Sequence, residues 1–227
     1  MTGLPWKLGF AALLALTPVQ AAAGSPVVVE LFTSQGCSSC PPANANLAAI
    51  AARPDILALS FGVTYWDQLG WKDTFARDEF TRRQYAYAGA LHGGPYTPQI
   101  VVNGIRDGTG IRRRDLDALI AQAAPLSGPA LSLSGAKLRI GTGAADGEAQ
   151  IWLVQYDPRI AAVPVSAGEN AGVTLAHRNV VKKLERLGAW RGEAIELALP
   201  PAPPGLLAAV LVQRDNGGAI LSALKLP

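Results

Sequence analysis

The chain has 227 residues, 49% hydrophobic and 16% charged, with a formal net charge of +3. That composition supplies a sizeable core and excludes wholesale disorder, and the length suits one or two domains. The longest basic run, Arg112-Arg113-Arg114, reads as a solvated helix start, so the mild positive balance argues against a nucleic-acid partner.

Residues 1–23 carry the marks of a secretory signal: Lys7 beside the amino terminus, an apolar run from Leu8 to Leu16, and Ala21-Ala22-Ala23 as a cleavage site. The run is too short to span a bilayer, which takes about 20 residues. The expected mature chain starts at Gly24, crosses no membrane and resides in the periplasm or medium of a bacterium, where disulfides persist.

Val27–Phe32 is apolar except at Glu30, the pattern of a strand buried on both faces. A small polar turn, Thr33 to Gly36, leads to Cys37 and Cys40, the only cysteines in the chain. Pro41 and Pro42 open an Ala-rich segment of helical spacing, Ala43–Arg53. A strand feeding a Cys-x-x-Cys at a helix mouth is the layout of thiol–disulfide chemistry. Cys37 lies where unpaired N–H groups favour a thiolate, so it is the expected nucleophile, more exposed and of lowered pKa; Cys40 is the expected resolving thiol. Two other readings stand beside this one. The pair can form an inert bridge, although closing so short a loop removes little chain entropy. It can also hold metal, although His92 and His177 are the only histidines and no second Cys-x-x-Cys exists. Neither metal nor cofactor is expected.

Ile56–Phe61 reads as a second strand, completing a β–α–β unit. The loop Gly62–Asp73 is dense in aromatics, and Tyr65, Trp66 and Trp71 either floor a substrate groove or pack the loop itself. A helix is predicted over 78–91, with His92 at its C-terminal end. Gln99–Asn103 is strand-like, Asn103-Gly104 is a hairpin turn, a short partner strand follows, and Arg113–Ala124 closes the unit as a helix. The order is β–α–β–α–β–β–α. Pro125 and Ser127-Gly128-Pro129 mark a boundary, placing one domain at 24–125 and a second at 126–227. In the second, short β-like runs at 131–134, 137–140, 149–156, 195–199, 206–213 and 220–226 suggest a small sandwich or barrel. Val180–Leu187 is ambiguous, because Val180, Leu184 and Leu187 fit a helix. Glu169, Asn170 and His177 form a small polar group, for which structural hydrogen bonding is the favoured role.

The stretches ELFTSQGCSSC and YTPQIVVNG resemble the glutaredoxin/thioredoxin superfamily. That resemblance implies an α/β thioredoxin-like fold with a mixed sheet, a cis Pro98 facing the Cys-x-x-Cys, and a Thr97 backbone that pairs with substrate. It also implies that Glu30 is a buried carboxylate shuttling a proton for the resolving thiol; the alternative is that Glu30 meets a polar rim or an arginine. With YWDQLGW and GENAGVTLAHRNVV added, the chain is similar to bacterial secreted proteins grouped as domain of unknown function 1223. Where that family commonly has His-Val-Asp-Tyr-Trp-Asp, this chain has Gly62-Val63-Thr64-Tyr65-Trp66-Asp67, so no acid–base role carries onto Gly62 or Thr64.

The expectation is an exported thiol–disulfide oxidoreductase acting through Cys37 and Cys40, with Glu30 in support and Trp66, Thr97 and Pro98 at the substrate. Its partner would be a thiol- or disulfide-bearing protein or small molecule. The rival expectation is an accessory or binding module whose Cys37–Cys40 bridge is structural or sensing.

Overall fold

The computed structural model describes residues 24–226; the expected signal segment lies outside the described residues. The elements of the first hundred residues form close to where the sequence places them. Strand β1 (Val27–Thr33) pairs in parallel with β2 (Ile56–Gly62) and antiparallel with β3 (Gln99–Val102), which turns through Asn103-Gly104 into β4 (Arg106–Gly108). Asn103 and Gly104 both have positive φ, 49° and 70°, the pair a tight primed turn requires. Helix α1 (Pro41–Ile50) begins two residues earlier than expected, since proline is tolerated at the first helical positions, whose N–H groups lack an intrahelical partner. Helices α2 (Asp78–Ala90) and α3 (Arg113–Ala121) follow.

The expected architecture, an α/β thioredoxin-like unit followed by a separate β sandwich, is corrected by the sheet itself. Strands β5 (Leu131–Ser134), β6 (Lys137–Ile140), β7 (Ala149–Asp157), β8 (Ala161–Pro164), β9 (Thr174–His177), β10 (Val180–Trp190), β11 (Ile195–Ala198), β12 (Leu207–Arg214) and β13 (Ile220–Leu226) complete the described chain. Four of them extend the first sheet into one mixed eight-stranded sheet of order β13-β12-β7-β10-β2-β1-β3-β4. The described chain is therefore mostly β, with three helices. The join is β10, whose Val180 pairs in parallel with Ser60 of β2. The Asn179 side chain secures it, donating to Ala58 O at 2.7 Å.

The helical spacing of Val180, Leu184 and Leu187 has a specific cause. Against β7, strand β10 has register shifts between Val181 and Lys183 and between Arg186 and Gly188. Each bulge inserts one residue and flips the side-chain alternation, so apolar residues recur every three or four positions in what is an extended strand.

The sheet curls. Ile220 at the start of edge strand β13 donates its N–H to Asn103 O at 2.9 Å, although Asn103 follows β3 near the opposite edge. The concave face encloses a core of Val28, Phe32, Phe61, Phe80, Tyr87, Val181, Leu211 and Ile220, with α2 packed into it. The opposite face of β1–β3 carries Val29, Leu31, Ile100 and Val102 against Leu47 and Ile50 of α1 and Leu116 of α3. A three-stranded sheet, β11-β6-β5, covers β7, β10 and β12 through Leu138, Ile140, Ile151, Leu153, Trp190 and Val210. The hairpin β8–β9 stands apart as a two-stranded ribbon whose β9 packs on α1.

Candidate functional site

Beyond β1 the chain turns through Thr33–Gly36 into the Cys-x-x-Cys loop. Cys37 and Cys40 are bonded to each other, with Cα atoms 5.5 Å apart. Cys40 is the residue at the mouth of α1, with Pro41 and Pro42 in the first turn. Both cysteines are 0% exposed, whereas Ser38 and Ser39 between them face solvent. The expectation of an exposed Cys37 is thus corrected: the motif presents its serines, and its sulfurs are covered.

The cover comes from the far half of the chain. The loop joining β8 to β9 reaches over the motif. Asn170, 6% exposed, donates from its amide to Gln35 O at 2.9 Å and to Cys37 O at 3.0 Å. Glu169 Oε2 accepts the Ser38 N–H at 2.9 Å. Gly168 sits at φ +77°, and a Cβ there would lie 3.3 Å from Trp71 Cβ, so the loop also bears on the aromatic segment. Its own turn is closed by Val165 N–H to Val173 O and Gly172 N–H to Val165 O, at 2.9 and 2.8 Å.

Hydrogen bonds also take up the N–H groups that lead into the motif. Gln35 N–H goes to Asp73 Oδ2 at 2.7 Å, Gly36 N–H to Ser34 Oγ at 3.1 Å, and Cys37 N–H to Ser34 O at 3.2 Å. Asp73 also accepts from the backbone of Phe75 and Ala76. Burial pushes its carboxyl pKa up, against the pull of the Gln35 and Phe75 N–H bonds. Glu169 is held below the usual carboxylate range by the Ser38 backbone N–H and then by the Ser38 side chain. The polar neighbour of the Cys37 sulfur is Ser39 Oγ, 3.4 Å away. Asn44, one helical turn beyond Cys40, is 4% exposed and neither end of its side-chain amide has a partner among the described residues.

The other expected site residues separate into two groups. Phe32 pairs with Gln99 across β1 and β3, so Thr97 and Pro98 fall level with the turn that leads to Cys37. Their peptide bond is cis. Trp66 donates its indole N–H to Thr97 Oγ1 at 2.8 Å, and a Cβ on Gly36 would lie 3.7 Å from Trp66 Cβ. Trp66, Thr97 and Pro98 therefore form one rim of the loop. Trp71 donates to Gln35 Oε1 at 2.9 Å, fixing the residue two before Cys37.

Glu30 belongs to a different environment. It alternates with Val28 and Phe32 onto the concave face, whereas α1 covers Val29 and Leu31 on the other. There its carboxylate, 0% exposed, receives Arg83 Nε at 2.7 Å, Arg83 Nη2 at 3.2 Å and the Tyr87 hydroxyl. Tyr87 in turn receives Gln213 Nε2 at 3.0 Å. Burial pulls the Arg83 pKa down, but the Glu30 charge, Tyr87 and the hydrogen bonds to both together outweigh it, and the guanidinium ends above its ordinary value. The arginine-paired alternative for Glu30 describes this geometry.

Among the described residues no three His, Cys, Asp or Glu side chains are gathered as for a metal ion. A cleft of about 440 Å³ lined by Arg82, Trp152, Gln213 and Arg214 opens near α2 and includes none of the Cys-x-x-Cys residues.

The family model described as protein of unknown function (DUF1223) matches residues 28–213, a span that takes in β1, the motif and the covering loop. The chain belongs to the DUF1223 family. That is the family its motifs resemble. A crystal structure of an Agrobacterium tumefaciens protein is 34% identical, with a TM-score of 0.72, over 91% of this chain and 96% of that one. HBP35 of Porphyromonas gingivalis shares the fold at a TM-score of 0.56 and 12% identity, over 91% of this chain and 76% of that one. No curated protein matches this chain. Within this DUF1223 member, Glu169 and Asn170 are the site residues that sequence reasoning left among structural hydrogen bonds. The signal that points to them is the acidic–amide pair in GENAGVTLAH, separated from Cys37 by more than a hundred residues.

Proposed function

We propose that this DUF1223 protein is an exported thiol–disulfide exchange protein working through Cys37 and Cys40. The observation that supports it is the bond between two cysteines three apart at a helix mouth. Such a bridge closes too short a loop to contribute much stability through chain entropy, so its chemistry is the better account of its presence. Export of the chain through its N-terminal signal would place it where such a bond persists.

In the exchange, an external thiolate attacks Cys37 Sγ. A mixed disulfide forms, the Cys37–Cys40 bond breaks, and its electron pair leaves on Cys40, which takes a proton from water. A second thiolate attacks the external sulfur of the mixed disulfide, giving the oxidised partner and the Cys37 thiolate. Two thiols are oxidised and one disulfide is reduced; the reverse sequence reduces a substrate disulfide. Trp66, Thr97 and Pro98 form the rim against which the partner would lie. Glu30, bound by Arg83 and Tyr87 on the other face of the sheet, takes no part in this proposal.

The complete burial of both sulfurs favours a second reading, a bridge that only senses or braces in an accessory protein. The two are separated by following reduction of a fluorescent glutathione-disulfide reporter by the prereduced protein. Exchange predicts reduction of one reporter equivalent at a rate above background that Cys37→Ser abolishes, with Cys40→Ser trapping a mixed disulfide. A wild-type rate equal to that of the double serine variant sinks the exchange reading in favour of the brace.

A further inference from the structure

Building on the exchange chemistry proposed above, we infer that Glu169 and Asn170 are positioning residues. They act through Cys37 to hold it as a closed, poorly ionised sulfur and so bias the pair toward the disulfide. The bias follows from where the N–H groups of the loop go. A Cys-x-x-Cys sulfur at a helix mouth becomes a good thiolate when the first N–H groups of the helix and loop point at it. Here Pro41 and Pro42 remove two of those donors outright. The Ser38 N–H, next to Cys37 in the chain, is given to the Glu169 carboxylate at 2.9 Å. The Cys40 N–H is given to Cys37 O at 3.2 Å, and the Ser39 hydroxyl lies 3.4 Å from the sulfur.

Glu169 therefore has two effects with one sign. It takes up the N–H of the residue next to Cys37, and it sets a negative charge one residue from Cys37, which disfavours a second one. The potential of a dithiol pair follows the stability of its reduced, thiolate-bearing form. A pair whose thiolate is disfavoured lies toward the reducing end, as a disulfide that resists reduction and a dithiol that gives its electrons up readily.

Asn170 supplies access control. Its amide ties Gln35 O and Cys37 O to the covering loop, and both sulfurs are fully buried beneath. An attacking thiolate needs a straight approach to Cys37 Sγ along the bond that breaks, so the Asn170 bonds must release before exchange. The two residues thus act on different quantities: Glu169 on ionisation, Asn170 on opening.

The test is the pH dependence of Cys37 alkylation by iodoacetamide in the reduced Cys40→Ser protein, which requires no turnover. Glu169→Gln, at an exposed side chain, is expected to move the midpoint to lower pH by about half a unit, giving about threefold faster alkylation at pH 7. Asn170→Ala is expected to raise the rate at every pH without moving the midpoint. In the two-cysteine protein, equilibration against dithiothreitol is expected to show more dithiol for Glu169→Gln than for wild type at the same reductant ratio. Superimposable profiles and an unchanged dithiol fraction for Glu169→Gln overturn the inference, whether or not Asn170→Ala folds. A wild-type protein that fails the reporter assay while Glu169→Gln still shifts the midpoint refutes the exchange reading and leaves this one standing.

Discussion

His177, in the ribbon that covers the disulfide, is a buried group whose charge state the fold decides. It is 2% exposed, its Nε2 has no hydrogen-bond partner among the described residues, and its ring meets Phe75 edge-on with centroids 5.5 Å apart. The Lys182 ammonium lies 4.1 Å from the centre of that same Phe75 ring. Burial first, and then the Lys182 charge, pushes the His177 pKa from 6.5 down to about 4. The unfolded chain therefore takes up a proton below about pH 6.5 while the folded chain does not, and stability is lost as pH falls through that window. At about 1.36 kcal/mol per unit the full window is worth roughly 3 kcal/mol, most of it lost between pH 6.5 and 4.5. Urea unfolding of wild type and His177→Gln at pH 8 and pH 4.5 isolates this contribution, because every other titrating group is common to both. The variant's deficit relative to wild type should shrink by roughly 2–3 kcal/mol at the lower pH. A His177→Gln deficit that is the same at both pH values, within about 0.5 kcal/mol, refutes the claim that the fold keeps this imidazole neutral.

The ion pair in the concave core makes a second demand. Arg83→Met leaves the Glu30 carboxylate buried with only the Tyr87 hydroxyl for a partner, and urea denaturation at pH 7 should register a loss of about 3–5 kcal/mol; a loss below about 1 kcal/mol would mean the site is wetter than its burial implies. Adding Glu30→Gln to Arg83→Met should restore part of that loss, since the uncompensated charge is gone. At Gly62 a Cβ would fall 2.7 Å from Ala76 N and 2.8 Å from Phe75 C, so Gly62→Ala must displace backbone. We expect it to lower stability by about 1–3 kcal/mol, read as a fall in the urea midpoint with an unchanged slope.

Local chemistry explains which parts of this fold are visible in the sequence. The run Val27–Phe32 and the Asn103-Gly104 turn each act within a few residues of themselves and form where they are expected, while the prolines after Cys40 enter the helix start instead of preceding it. Strand β10 defeats pattern reading because its two bulges convert a period of two into spacings of three and four. The partner of Glu30 lies 53 residues away, and nothing in an apolar strand indicates that an arginine from α2 will reach its one carboxylate. The architecture itself turned on a single junction, Val180 beside Ser60, which fuses two runs of strands that composition and the Pro125–Pro129 break divide. The cover over Cys37 was hidden for the same reason, since the distance in sequence from Gln35 to Asn170 is 135 residues.

That cover also imposes an order of events. Synthesis delivers Cys37 and Cys40 early, but Asn170 arrives only after β7 and β8, and its ribbon leads directly into β10, the strand that joins the two sets of strands. A growing chain thus carries an open Cys-x-x-Cys for most of its emergence, and the sulfurs are shut in only when the later strands dock. Any enzyme or small oxidant that makes the bond from outside has its easiest approach in that interval. The finished protein would then record the redox conditions of its own maturation, sealed beneath a loop made long after the bond's two ends.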